Sequence, residues 1–385
     1  MLKNLIHFPI DRIAPKGGPS GYLYNLSCGL NEIGAEGFNF LPPVGRTYEQ
    51  NKTLQRLVPR RLKDYRRLRN LLMLPDRSLP APVDYASYDF LHFHSTEDLY
   101  LHRNALEEYR GTVILTSHSP CVYHEELISR LNPKDVERNK TELATLEQID
   151  TFAFKRADVV VFPCPEAEEP YYHTWKNYAL VRSEAKFRYL PTGIQGCKAK
   201  VDRNEVRKKY GIPSDAFVMS YAGRHNSVKG YDSLRDAVLP MLDQDANLWM
   251  IVAGKEGPLS SPSHERWIEV GWTSDPHSLI AASDVFILPN RETFFDLIML
   301  EVLSLGVPIV ASDTGGNRYF RKFKNVGIKL YSDTGELAAS VSEIREMSRS
   351  ERQAICDSNK ALFASEFGCV HFAKRYSALI GGLCG

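Results

Sequence analysis

Short runs of residues that are apolar on both faces recur along this chain, alternate with longer stretches of helical spacing, and do so in two separate series. The first series is "LIHFPI", "FNFLPP", "DFLHFHS", "TVILTSHS", "DVVVFPC" and "FRYLPTG", with helical stretches such as "GYLYNLSCGLNEIG" and "TELATLEQIDTFAFKRA" between them. A strand apolar on both faces must be covered on both, and helices that connect successive strands supply that cover. The pattern therefore predicts a doubly wound parallel sheet. A Gly-punctuated, charge-rich passage, "LPTGIQGCKAKVDRNEVRKKYGIPSD", reads as a linker, after which the pattern begins again. "AFVMSYAG", "LWMIVAG", "IEVGW", "DVFILP", "VPIVASD" and "VGIKLY" read as strands, with "DSLRDAVLPMLDQ", "DPHSLIAAS" and "DLIMLEVLSLG" as helices. The expected fold class is α/β, with two Rossmann-like domains at 1–194 and 195–365. Residues 366–385 form a helical segment expected to return to the first domain. Ligands of such sheets sit beyond the carboxyl ends of the strands, so a cleft between the two domains is the expected site.

At 385 residues the chain exceeds one ordinary core, and about 150 residues per domain agrees with two. A formal charge of +1 offers no general field for nucleic acid, which is not expected as a partner. The N-terminus "MLKNLIHFPIDRIAPKGG" carries too short an apolar run for a signal peptide or a membrane span, so a cytoplasmic protein is expected. Seven cysteines are scattered without a CxxC pair, which fits reduced thiols better than a disulfide framework or a zinc site.

The motifs fall just after strands. In "SYAGRHNSVKGYDSL", Arg224 and Lys229 follow the turn at Gly223. Two cations at a strand end suit a diphosphate, Arg as a planar fork and Lys as a mobile point charge; solvated loop residues are the equal alternative. In "NRETFFDLIMLEVLSLGVPIVASDTGGN", a helix is expected to begin near Phe295, where free backbone N–H groups favour an anion. Glu301 lies about two turns on among Leu300, Val302 and Leu303, where a carboxylate is costly unless it meets polar partners such as vicinal hydroxyls.

These residues, with "VGWTSDPHSLIAASDVFILPNRETFFDLIMLEVLSLGVPIVASDTGG", give a chain that resembles glycosyltransferase family 4, retaining enzymes of the GT-B fold. The resemblance is strong in the second half, looser in the first, and begins at "LIHFPIDRIAPKGGPSGYLYNL". It implies that Arg224 and Lys229 hold the diphosphate of a nucleotide sugar, with UDP favoured over GDP, and that Glu301 binds the ribose. It implies that the turn of Thr293, Phe294 and Phe295 approaches the sugar and phosphates. The family is described with front-face attack, a phosphate oxygen taking the acceptor's proton. One departure stands out: counting back eight from Glu301 lands on Thr293 where the family has its first glutamate, with Glu292 one place early. The following position, a glycine in the family, is Phe294. The sugar is accordingly left open.

In the first domain Gly17, Gly18 and Gly21 lie between a strand and a helix, an ordinary tight turn by itself. The resemblance moves Gly17 and Gly18 to a donor-phosphate or acceptor contact, and makes His118 of "ILTSHSP" a residue that hydrogen-bonds donor sugar or acceptor. His92 and His94 read as packed strand residues. Asp243 and Asp245 read as a solvated helix end, and no metal and no cofactor are expected. Finally, "LQRLVPRRLKDYRRLRNLL" interleaves Arg56, Arg60, Arg61, Lys63, Arg66, Arg67 and Arg69 with leucines. The span Arg56–Leu72 has the pattern of a helix lying on an anionic membrane, and equally that of a solvated helix packed on its own domain.

The expected activity is transfer of a sugar from a nucleotide diphosphate sugar to a glycan or lipid-linked glycan, in surface polysaccharide or glycoconjugate synthesis. Two readings stay open beside it: a nucleotide-sugar epimerase or sugar-phosphate synthase, and a non-catalytic partner subunit of the same fold.

Overall fold

A computed structural model describes residues 2–15, 17–45 and 60–383. The chain divides into two compact units, Met1–Pro191 with Tyr376–Gly385, and Thr192–Arg375.

The first unit carries β1 (Asn4–His7), β2 (Phe38–Leu41), β3 (Phe90–Phe93), β4 (Thr112–Leu115), β5 (Val159–Phe162) and β6 (Phe187–Tyr189). They form one parallel sheet in the order β2-β1-β3-β4-β5-β6. The second carries β7 (Phe217–Ala222), β8 (Leu248–Ala253), β9 (Trp267–Gly271), β10 (Val285–Leu288), β11 (Ile309–Ser312) and β12 (Ile328–Tyr331). Their order is β12-β11-β10-β7-β8-β9, again all parallel. Every apolar run named above is one of these strands.

Burial on both faces is visible in the second sheet. Phe217, Met219 and Tyr221 of β7 join Leu248, Met250 and Val252 of β8 in one cluster under the helix Tyr231–Gln244. Val218, with Ile251 and Ala253, joins the opposite cluster with Leu279. Successive side chains enter different cores, which is why the sequence reads as continuous apolar runs.

Strand order fixes where ligands can sit. In the second unit the chain moves from β7 out to β8 and β9, then returns to place β10 on the other side of β7. The crevice beyond β7 and β10 is therefore its switch point. In the first unit the corresponding point lies beyond β1 and β3.

The basic stretch is helical over Arg60–Leu72. Leu68, Leu71, Leu72 and Leu74 pack with Leu101, Leu127 and Ile149, so the C-terminal part of the helix and the turn after it lie against their own domain. Leu62 and Tyr65 remain exposed beside Lys63, Arg66, Arg67 and Arg69. Arg56 lies outside the described residues. Among the described residues no helix is long and apolar enough to cross a membrane.

Candidate donor site at the switch point of the second unit

Three loops meet beyond the carboxyl ends of β7, β10 and β11. Gly230 closes the first: its φ is 64°, and a Cβ there would lie 1.6 Å from the carbonyl oxygen of Pro289. Only glycine permits that approach. The second loop answers with the Arg291 N–H donating to the Val228 carbonyl at 3.0 Å. The third loop explains the Gly-Gly pair: a Cβ on Gly315 or Gly316 would come within 2.2 Å of the Thr293 or Phe294 carbonyl oxygen. The Gly316 N–H donates to the Thr293 carbonyl at 3.2 Å.

This frame holds the predicted residues unequally. Arg224 is exposed, and its carbonyl accepts from the Tyr221 hydroxyl at 3.0 Å. Lys229 is drawn inward, its Nζ donating to both carboxylate oxygens of Asp296 at 2.8 and 2.7 Å. Asn290 Nδ2 donates to the same carboxylate. Asp296 is the N-cap residue of the helix Leu297–Leu305, but its carboxylate makes no cap hydrogen bond to that helix and is turned to Lys229 and Asn290. The helix begins just past Phe295, and Asp296 was the residue the motif reading passed over. An Asp directly before an apolar helical run is the signal that would have found it.

Thr293 is buried, and among the described residues its Oγ1 has no hydrogen-bond partner; nor has Oδ1 of Asn290. Phe295 packs its ring against Tyr319 and Phe320 at 5.7 and 5.6 Å, so only its backbone is available to a ligand. Phe294 is half-buried in the same turn. Glu301 is one-quarter exposed and meets His277 Nε2 at 3.1 Å. Cys197 and Glu301 hold the His277 imidazolium, lifting its pKa to about 10.

Asp245, read above as part of a solvated helix end, receives the Arg345 guanidinium and the Asn247 N–H, the latter at 2.9 Å. Asp243 is largely exposed and lies 3.5 Å from His264.

In the first unit Gly18 has φ 74° and precedes the helix Pro19–Glu32, with open space where a Cβ would point. Gly17 adjoins it with equal space. His118 adopts a left-handed φ of 62°, and its Nε2 lies 2.8 Å from Nδ1 of His94. The His94 ring lies 4.0 Å from that of His92 at a tilt of 31°, and the His92 ring nitrogens meet Thr116 Oγ1 at 2.9 Å and the Tyr376 hydroxyl at 2.8 Å. Burial pushes His92 and His118 down to about 3, so both rings are neutral at pH 7. His92 is a packed strand residue, as expected, whereas His94 is buried just past the end of β3, and both belong to a polar chain that reaches His118.

Comparison with known proteins places this geometry. Residues 216–346 match the model of the glycosyl transferases group 1 family. Among solved structures, sucrose-phosphate synthase from Thermosynechococcus elongatus superposes with a TM-score of 0.65 at 17% identity, covering 99% of this chain and 98% of that one. Anabaena Alr3699/HepE, solved in complex with UDP-glucose, gives 0.63 at 16% identity, covering 99% and 100%. The fold is therefore GT-B, and the second unit is homologous to group 1 glycosyltransferases. A teichuronic acid biosynthesis glycosyltransferase named TuaC from Bacillus subtilis is 28% identical over 147 residues, 36% of this chain and 37% of that protein. The chain thus aligns with well under half the length of the curated relatives it matches.

Proposed function

We propose that the chain is a retaining glycosyltransferase that moves a sugar from a nucleotide diphosphate sugar, UDP-linked in the first instance, to a hydroxyl of a glycan or lipid-linked glycan in surface polysaccharide synthesis. The observation that carries this is the placement of Lys229, with Arg224 on the same loop, at the switch point of a sheet homologous to group 1 glycosyltransferases. UDP-glucose in the HepE structure and the teichuronic acid pathway of TuaC support the donor class and the pathway.

In this reading the diphosphate takes Lys229 from Asp296 and adds Arg224. The pair then stabilises the charge that develops as the sugar–phosphate bond breaks. Electrostatic contacts of this kind are worth about 3 kcal/mol each, roughly a hundredfold or more in rate. Glu301 accepts from the ribose hydroxyls in place of His277. Thr293 Oγ1 and Asn290 Oδ1, buried and without partners among the described residues, gain hydrogen bonds from a hydroxyl-rich sugar, which offsets a desolvation cost of about 1–3 kcal/mol apiece. In the first unit neutral His118 acts as a hydrogen-bonding group toward sugar or acceptor, and Gly17 and Gly18 leave room for a close backbone contact. No metal is assigned to the reaction. Leu62, Tyr65 and the basic residues around them would touch an anionic membrane.

The test is a thermal-shift and calorimetric panel of UDP, GDP and their sugars, since a ligand of the native state raises the midpoint. A uridine nucleotide is expected to raise it, and Arg224→Ala and Lys229→Ala to remove that rise while the protein stays folded. Equal shifts in both variants would move the donor site elsewhere.

A further inference from the structure

Cys197, His277 and Glu301, far apart in sequence, bring a thiol sulfur, an imidazole nitrogen and a carboxylate oxygen to within 4.8 Å of one another. Three elements hold them there. The segment carrying Cys197 is pinned upstream, where Ile194 exchanges backbone hydrogen bonds with Phe367 and Cys369 at 2.8 and 2.9 Å. It is pinned again at Cys197 itself, whose N–H donates to Ser304 Oγ at 3.0 Å, and Ser304 Oγ donates to the Glu301 carbonyl at 2.7 Å. Downstream, the N–H groups of Lys200 and Val201 donate to Ser278 Oγ at 2.9 and 3.0 Å. Ser278 neighbours His277 on the helix Pro276–Ala281, and Asp275 caps that helix. The three side chains are therefore positioned by neighbours and not by one another alone.

We propose that these three residues form a site for a thiophilic divalent cation, Zn2+ in the first instance, and that an ion bound there withdraws Glu301 from a nucleotide ribose. The second clause rests on the donor reading given above. Sulfur, nitrogen and carboxylate oxygen are the ligand types zinc takes, at about 2.0–2.3 Å, which sets the ligand atoms about 3–4 Å apart in a tetrahedron. The His277–Glu301 distance of 3.1 Å already has that spacing. Side chains of His277 and Glu301 are 28% and 25% exposed, which leaves an entry path and a fourth position for water. The three ligands come from distant parts of the chain, outside the CxxC spacing by which a zinc site shows in a sequence.

Zn2+ alone is titrated into the full chain by calorimetry, with Co2+ as a spectroscopic substitute whose charge-transfer band reports thiolate ligation. One ion per chain with that band is expected. Cys197→Ser should remove the band, and both Cys197→Ser and His277→Gln should weaken Zn2+ binding by about tenfold or more. Absence of binding to the unaltered chain, or equal binding in both variants, overturns the site. UDP is then titrated into metal-free and Zn2+-loaded protein, and about tenfold weaker binding to the loaded form is expected from the lost hydrogen bonds to a carboxylate. Equal UDP affinities with Zn2+ in place overturn the shared use of Glu301. UDP binding by neither form overturns the donor reading and the ribose clause together, and leaves the metal site to stand on the first titration.

Discussion

Asp296 changes what Lys229 means. A lysine at a strand end looks like a bare cation in the sequence, but here the charge is already matched by a carboxylate at 2.7 Å. A diphosphate must displace that carboxylate and then tolerate it nearby. Both partners are about one-quarter exposed, so the pair contributes no more than about 1 kcal/mol to stability. An incoming diphosphate meets the same carboxylate as a like charge as well as a competitor for Lys229. Asp296→Asn keeps the size of the side chain, takes no cap hydrogen bond from the helix, and removes the charge that holds Lys229. The expected outcome is UDP binding tighter by about threefold to tenfold in calorimetry, roughly the 1 kcal/mol of a partly screened ion pair. Weaker binding would mean that Asp296 orients Lys229 for the ligand instead of competing with it.

At the level of elements, two glycines with the same backbone sign carry different burdens. Gly230 has φ 64° and meets the Pro289 carbonyl, which belongs to the next loop; Gly18 has φ 74° and meets nothing. Gly18→Ala meets no clash, but with ψ −156° its backbone lies in a region essentially reserved for glycine, at a cost of about 1–3 kcal/mol. Gly230→Ala adds a backbone clash that separates the loops after β7 and β10, and should cost about 3 kcal/mol or more in urea unfolding. It should also abolish nucleotide binding, whereas a Gly230→Ala protein of near-normal stability would show that the loop interlock is loose. The sequence could not separate these two glycines, because each precedes a helix and only the fold brings Pro289 to one of them. The strands were legible for the opposite reason. Two-sided burial writes itself into consecutive residues such as "DVFILP", and the helices between fix parallel pairing. What stayed hidden were contacts made across long separations: Lys229 with Asp296, Glu301 with His277, and Phe295 with Tyr319, whose spacing follows no period.

For the molecule as a whole, the charged and neutral histidines of the first unit act in opposite directions with pH. His102 is held above its ordinary value by Asp98, so the stability it adds is present below pH 6.5 and fades as pH rises. Asp98 is held low by His102 and His7, so its share fades only at strong acid. His92, His94 and His118 are pushed down by burial, His92 and His118 to about 3, and the unfolded chain takes up their protons first. Their contribution is complete above pH 6.5 and is lost as pH falls from 6.5 toward 3, each adding up to about 1.4 kcal/mol per pH unit. The three are linked, since the His92 ring packs against His94 and His94 meets His118, while Tyr376 joins His92 to Asn4 across most of the chain length. Acid should therefore open β3, β4 and the returning C-terminal residues together. Hydrogen–deuterium exchange of the β3 and β4 amides is expected to quicken steadily from pH 6.5 to 4 after correction for intrinsic rates. His118→Asn removes one of the protonating groups with a residue that tolerates the left-handed φ of 62°. That variant should lose stability less steeply with acid, by up to about 1.4 kcal/mol per pH unit. A slope unchanged by the substitution would mean that His118 takes up its proton in the folded protein, and that its ring is not held neutral by burial.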